Sequence, residues 1–330
     1  MLDSSNSRIF DASNALNMQR ITWFAALVAV LVLTACGSAP DSSEENNAAA
    51  GPERLSIVCT TGMVADLVSG VVGEAADVSF IIPAGIDPHT YKATQGDVSK
   101  ISSSDVVVYS GLHLEAKMES ILDNFGKRAD KTVISLGEGL DAARLIHITD
   151  DEVDPHFWFD VPLWASAAPP VAEKLGAVDA ANAAYYADNA LAMGTQLDAL
   201  DMWVKQELAT IPESQRVMVT IHDAFNYLGR TYGIEVRGLM GVSPSGEAGI
   251  QDVSALVNYL STHHIPSVFV EESLASRSME AVMAGCQAQG HDLKLGGSLF
   301  ADSVGPEGTP EATYEGMVRH NVNTLVAALK

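Results

Sequence analysis

The chain has 330 residues, 47% of them hydrophobic and 18% charged, the composition of a globular protein long enough for two domains of ordinary size. Its 42 acidic and 19 basic residues leave a formal net charge of −23. Such a balance excludes nucleic acid as a partner, since phosphate recognition needs clustered Lys and Arg, and is compatible with steering cations.

The first predicted element is "ITWFAALVAVLVL", Ile21 to Leu33, an apolar run of signal-peptide length, preceded by Arg20 and too short to span a bilayer comfortably. Small residues follow it and lead to Cys36 in "LTACG", a pattern that resembles the lipobox of bacterial lipoproteins. Residues 1–36 are therefore expected to be a lipoprotein signal peptide, with Met18 as a possible true start and Cys36 as the lipidated residue. Residues 37–54, polar and free of aromatic side chains, read as a flexible tether. Two other cysteines, Cys59 and Cys286, fall in a strand-like and a helix-like run of different halves and are expected as buried free thiols.

From Leu55 strand-like and helix-like runs alternate. "LSIVCTT", "DVSFIIP", "DVVVYSG" and "KTVISLG" are β-branched strands, separated by helical runs "MVADLVSGVVG", "GDVSKISSS" and "LEAKMESILDNFG". The same scheme returns after Pro212, with strands "QRVMVTI", "IEVRGLM", "IPSVFVEES" and "DLKLGGSLF" and a closing helix "TYEGMVRHNVNTLVAALK". Buried strands alternating with amphipathic helices predict an α/β fold of two similar lobes, each a mostly parallel sheet flanked by helices. Between them residues 179–211 are rich in Ala and Leu and contain no proline, which predicts one long rigid helix that limits relative rotation of the lobes. The expected division is 55–178 for the N-terminal lobe, 179–211 for the linking helix and 212–330 for the C-terminal lobe.

Ligands of open α/β sheets sit beyond the carboxyl ends of the strands. Four metal-competent side chains fall at such places, two from each half: His89 in "IDPHTY", His156 in "VDPHFW", His222 in "TIHDAF" and Asp302 in "LFADSV". Three imidazoles and a carboxylate suit Zn²⁺, Mn²⁺ or Fe²⁺ rather than the all-oxygen sites of Ca²⁺ and Mg²⁺. The proline before His89 and His156 fixes its own φ and keeps the preceding Asp extended, so each imidazole is partly placed before an ion arrives. Asp87 and Asp154 are candidate hydrogen-bond partners of those histidines, or ordinary turn residues. Glu271 and Glu272, at the end of "VFVEES", share the same sheet edge. His113 is expected to pack or hydrogen-bond near the site and His147 to lie in a loop near the cleft. His263, His264, His291 and His320 sit on helices or at their ends and are read as non-ligands.

The stretches "AGIDPHTYKATQGDV", "SGLHLEAKM", "DPHFWFDV", "QRVMVTIHDAFNYLGRTYGIEVRGLMGVSPSGEAG" and "LFADSVGPEGTPEATYEGMVRHNV", in that order, resemble the metal-binding receptor lipoproteins of bacterial ABC importers for zinc, manganese and iron(II). The resemblance covers residues 55–329. It implies two lobes with the ion between them and His89, His156, His222 and Asp302 as ligands. It also implies a divalent transition-metal cargo, Zn²⁺ or Mn²⁺ ahead of Fe²⁺, and a membrane permease with a separate ATPase as partner. The chain is then expected as a membrane-anchored, extracytoplasmic monomer. A histidine at 222 occurs in members that take zinc and in some that take both metals. The His- and Asp-rich loop of dedicated zinc receptors is absent, with "HITDDEVDPH" in its place.

A zinc-dependent hydrolase and a surface adhesin lipoprotein are the alternatives. Against the first, four protein ligands fill a tetrahedral site, and no HExxH or Gly-x-Ser-x-Gly run supplies catalytic groups. The second leaves the four converging side chains without a purpose.

Overall fold

In the computed structural model, residues 54–244 and 248–330 are described. The signal segment, Cys36 and nearly all of the tether lie outside them. Among the described residues no helix is long and apolar enough to cross a membrane.

The N-terminal lobe opens with β1 (Leu55–Cys59), α1 (Gly62–Val72) and β2 (Ala76–Phe80). It continues through α2 (Gln95–Ser103), β3 (Val106–Tyr109), α3 (Glu119–Gly126) and β4 (Thr132–Ser135). The four strands form one parallel sheet in the order β2-β1-β3-β4, with Ile57 opposite Val78 on one side and Val106 on the other. Helix starts follow local chemistry. Thr61 caps α1 by accepting the Val64 N–H, and Thr94 and Asp97 form a reciprocal capping box at α2.

Two helices were not expected, α4 (Val161–Ala165) and α5 (Ala168–Val178). Pro162, Pro169 and Pro170 look like breakers in the sequence. Each stands in a first helical turn, where the missing N–H costs nothing. The expected long helix is α6, but it spans Ala183–Leu208, shorter at both ends than 179–211. Asp179 terminates α5 instead: its N–H reaches the Leu175 carbonyl, and its carboxylate receives Asn182 Nδ2 and the Tyr186 hydroxyl, both at 2.7 Å. At 26 residues α6 is about 39 Å long. It packs against α1, α4 and α5 and, beyond them, α7 (Asn226–Tyr232) and α10 (Tyr314–Leu329), so it links the two lobes.

The C-terminal lobe holds β5 (Val217–His222), β6 (Glu235–Met240), α8 (Ile250–His263), β7 (Ser267–Glu271), α9 (Arg277–Ala288) and β8 (Lys294–Leu299). Its strands are parallel, but the hydrogen-bonded ladder comes as two pairs, β5-β6 and β7-β8. β5 runs beside β7. At the carboxyl end of that seam the Glu271 side chain, rather than a strand carbonyl, accepts the backbone N–H groups of Ile221 and His222.

The largest apolar core is common to both lobes. It runs from Ile57, Val64 and Val68 through Trp158 and Trp164 to Leu200, Met317 and Leu325, and the chain from Pro52 onward is one compact unit. Cys59 and Cys286 are buried free thiols, as expected, and burial pushes the Cys59 thiol up.

Candidate metal centre

His89, His156, His222 and Asp302 converge at the junction of the lobes, each offering a donor atom within 4.8 Å of the other three. His89 lies in the loop after β2, and His156 immediately precedes a single 3₁₀ turn, Phe157–Phe159. His222 is the last residue of β5, and Asp302 follows β8 by three positions. All four are buried, His89 being the most accessible at 6%.

Three Nε2 atoms face one another. That of His156 lies 3.3 Å from His89 Nε2 and 3.4 Å from His222 Nε2. The Asp302 oxygens stand 3.2 Å from His156 Nε2 and 3.4 Å from His222 Nε2. Bonds of about 2.0–2.1 Å at tetrahedral angles place donor atoms about 3.3–3.4 Å apart, so these edges match a cage around one transition-metal ion. Both Asp302 oxygens are buried, and neither accepts a well-directed hydrogen bond despite its short distance to a ring nitrogen. A carboxylate buried this deeply needs positive charge beside it, from the protonated rings of His156 and His222 or from a metal ion in place of their protons.

The repeated Asp-Pro-His tripeptide has a geometric use. In both copies the Asp Oδ1 accepts the backbone N–H of the histidine two residues on, at 2.8 Å for Asp87 and 2.9 Å for Asp154. This is the local turn that Asp favours, and the intervening proline stiffens it. Of the two readings open for these aspartates, partner of the histidine and turn residue, both apply. In the second copy Asp154 Oδ1 also takes the ring Nδ1 of His156 at 2.7 Å, which turns Nε2 toward the centre. Asp154 is itself held by Asn226 Nδ2 at 3.0 Å, from the other lobe. Among the described residues no hydrogen bond holds His89 Nδ1.

Glu271 carries more than the sequence suggested. Its Oε2 makes a very short contact with His222 Nδ1 while Oε1 takes two backbone N–H groups, so one buried carboxylate fixes both ring and strand. Its neighbour Glu272 has no such side-chain contact among the described residues, and its backbone N–H donates to the Leu299 carbonyl. His113 departs from its expectation: it is largely exposed, pairs with Glu119 at 2.5 Å and lies on a surface cavity of about 320 Å³ rather than at the cluster. Leu112 and His113 both take left-handed backbone, with φ of 53° and 65°. His147 forms an isolated bridge with Val153 just before the second tripeptide. His263, His264, His291 and His320 stay outside the cluster.

The electrostatics divide the three imidazoles. Burial alone lowers His156, but Asp154 and Asp302 outweigh it and hold the ring at about 9. His222 is likewise lowered by burial and raised more strongly by Asp302 and Glu271, ending well above the ordinary value. The carboxylate that touches His89 meets its backbone and not its ring, and burial takes the imidazole down to about 4 against the pull of Asp302. Burial raises Asp302, yet the two histidines hold its carboxyl well below the usual range. A cation at the centre replaces the protons on His156 and His222.

Two parallel α/β lobes joined by one long helix, with a buried ligand cluster where their strand ends meet, define a bilobal solute-receptor architecture. More particularly, residues 57–328 match the family described as "Zinc-uptake complex component A periplasmic", and the chain belongs to that family. It is 40% identical to the manganese-binding lipoprotein MntA of Bacillus subtilis, over 93% of this chain and 98% of that protein. It is 38% identical to the zinc-binding protein TroA of Treponema pallidum, over 83% and 88%. The solved structure of that periplasmic zinc-binding protein superimposes with a TM-score of 0.81, covering 84% of this chain and 99% of the other. A more distant relative, 29% identical over 93% of this chain and 98% of its own length, is the manganese ABC transporter substrate-binding lipoprotein PsaA of Streptococcus mitis.

Proposed function

We propose that this chain is the extracytoplasmic receptor of an ABC importer, capturing one Zn²⁺ or Mn²⁺ ion between its lobes and delivering it to the membrane permease. His89, His156, His222 and Asp302 are the ligands, and the ion is cargo rather than cofactor. The observation that carries the reading is the Asp302 carboxylate, fully buried and without a hydrogen bond, facing two imidazole nitrogens at 3.2 and 3.4 Å. Family membership and the metals for which the relatives are named support it independently.

The relatives name two metals, and the donor set suits both. By the Irving–Williams order the isolated site binds Zn²⁺ more tightly than Mn²⁺, so transport specificity follows metal supply as much as affinity. Cys36 would carry the lipid that holds a monomeric receptor at the membrane face, with residues 37–54 as the leash, lobes at 55–178 and 212–330, and a permease with its own ATPase as partner. We read the chain as a receptor and not a hydrolase, because four protein donors fill a tetrahedral shell and leave no position for an activated water.

Competition titration of metal-stripped protein tests this reading. One equivalent of Zn²⁺ should bind, Mn²⁺ should compete for the same site, and His222→Ala should weaken binding by orders of magnitude. A titration unchanged by His222→Ala removes that residue from the site.

A further inference from the structure

Each histidine of the cluster has a carboxylate beside it: Asp87 on the His89 backbone, Asp154 on the His156 ring and Glu271 on the His222 ring. Asp302 faces only the other members of the cluster, and among the described residues neither of its oxygens receives a well-directed hydrogen bond from a supporting side chain. Its position must come from the backbone on either side. Within its own lobe, Asn321 clasps Phe300 through two bonds, at 2.9 and 2.7 Å. The remaining two holds cross between lobes. The Trp158 indole N–H donates to the Ala301 carbonyl at 3.0 Å, and the Gly85 N–H donates to Ser303 Oγ at 3.1 Å.

Those anchors sit in the two loops that carry the first-lobe histidines. Trp158 stands two residues after His156, and its ring meets the His156 ring edge-on at 5.2 Å. It is 1% exposed, and its own carbonyl accepts the Tyr314 hydroxyl at 2.7 Å. Tyr314 in turn stacks on Trp164 at 5.1 Å and donates its backbone N–H to Asp66 of α1 at 3.0 Å. The indole is thus packed among the first-lobe rings of His156, Phe157 and Phe159, with second-lobe Tyr314 on its backbone, while its one polar atom grips the second lobe beside Asp302.

We propose that Trp158 is a positioning residue for metal capture: its indole N–H, presented by the same first-lobe loop that carries His156, fixes the Ala301 carbonyl and so places the Asp302 carboxylate opposite His156. This rests on the receptor reading. The ligand pair His156–Asp302 is then prearranged across the lobe junction, and the ordering cost of bringing the two halves of the site together falls on folding rather than on capture.

The test is a set of zinc titrations on the full chain. Trp158→Phe keeps a flat apolar ring, removes the N–H and gives up part of the indole's volume, a packing loss that the Asp302→Ala background controls for. It is expected to weaken zinc binding about tenfold or more in the otherwise unchanged protein, and by less than about twofold when Asp302→Ala is already present. Ser303→Ala, which removes the second cross-lobe bond flanking Asp302 with little change in volume, is expected to show the same dependence on Asp302 and serves if Trp158→Phe does not fold. Equal losses with and without Asp302 overturn the proposal, because a general structural defect acts in both backgrounds. No loss from either substitution in the unchanged protein overturns it as well. If the unsubstituted chain takes up no zinc, the receptor reading fails and this inference with it, a result distinct from normal uptake that ignores Trp158.

Discussion

His156 and His222 hold their Nδ1 atoms against Asp154 and Glu271, and in the metal-free protein the surrounding carboxylates keep both rings protonated at neutral pH. A raised imidazole value means that a proton must leave before Nε2 can bind a cation, so affinity rises with pH until the rings are neutral. Zinc affinity is therefore expected to fall from about pH 9 downward, well before the 6.5 of a free imidazole, with protons released on binding at neutral pH. Calorimetry in buffers of differing ionisation enthalpy reads this directly, and an affinity flat from about pH 9 to about pH 5 would contradict it. Removing a carboxylate that orients a ring is a second check. Glu271→Ala should cost about 10–100-fold in zinc affinity and also destabilise the fold, since it orphans two buried N–H groups. A full-affinity variant would mean that His222 needs no such support. The four side chains that cluster were legible as candidates in the sequence because each stands at a strand end or closes the repeated Asp-Pro-His tripeptide. Glu271 was legible only as a strand-end acid, and Trp158 not at all, since an indole reaching across 143 positions leaves no local signature.

At the scale of elements, α6 is the member on which both lobes pack. Tyr186, Ala190, Leu197, Leu200, Val204 and Leu208 form its buried stripe, at the three- and four-residue spacing of one helical face. Leu200→Ala should cost about 2–5 kcal/mol in urea denaturation of the metal-free protein, while Leu191→Ala, at a position 70% exposed, should stay within about 0.5 kcal/mol. Similar costs at both sites would mean that α6 is not seated as described. The strands and most helices were readable from β-branched runs and apolar periodicity. The stretch 161–178 was not, because a proline in a first helical turn reads the same as a proline in a loop until the turn itself is seen. The ends of α6 were misjudged for a related reason: alanine-rich composition continues past the point where Asp179 and Asn182 satisfy each other and stop the helix.

For the molecule as a whole, one apolar core runs through both lobes, and the site is stitched across the junction by Trp158, Gly85 and Asn226. Wide clam-shell opening would tear that core, so capture should involve small, local adjustments. Small-angle scattering of metal-free and zinc-loaded protein is expected to give nearly the same radius of gyration, and a marked contraction on loading would show that the lobes swing freely. The net charge of −23 acts over longer distances, drawing cations to the surface while salt screens the attraction.

The converging donor set is tested most directly by zinc-edge X-ray absorption of the protein loaded with one equivalent of metal. The expected spectrum shows an inner shell of nitrogen and oxygen at about 2.0–2.1 Å with the outer-shell scattering of three imidazoles and no sulfur. A shell dominated by water oxygens, or one containing a thiolate, would contradict it.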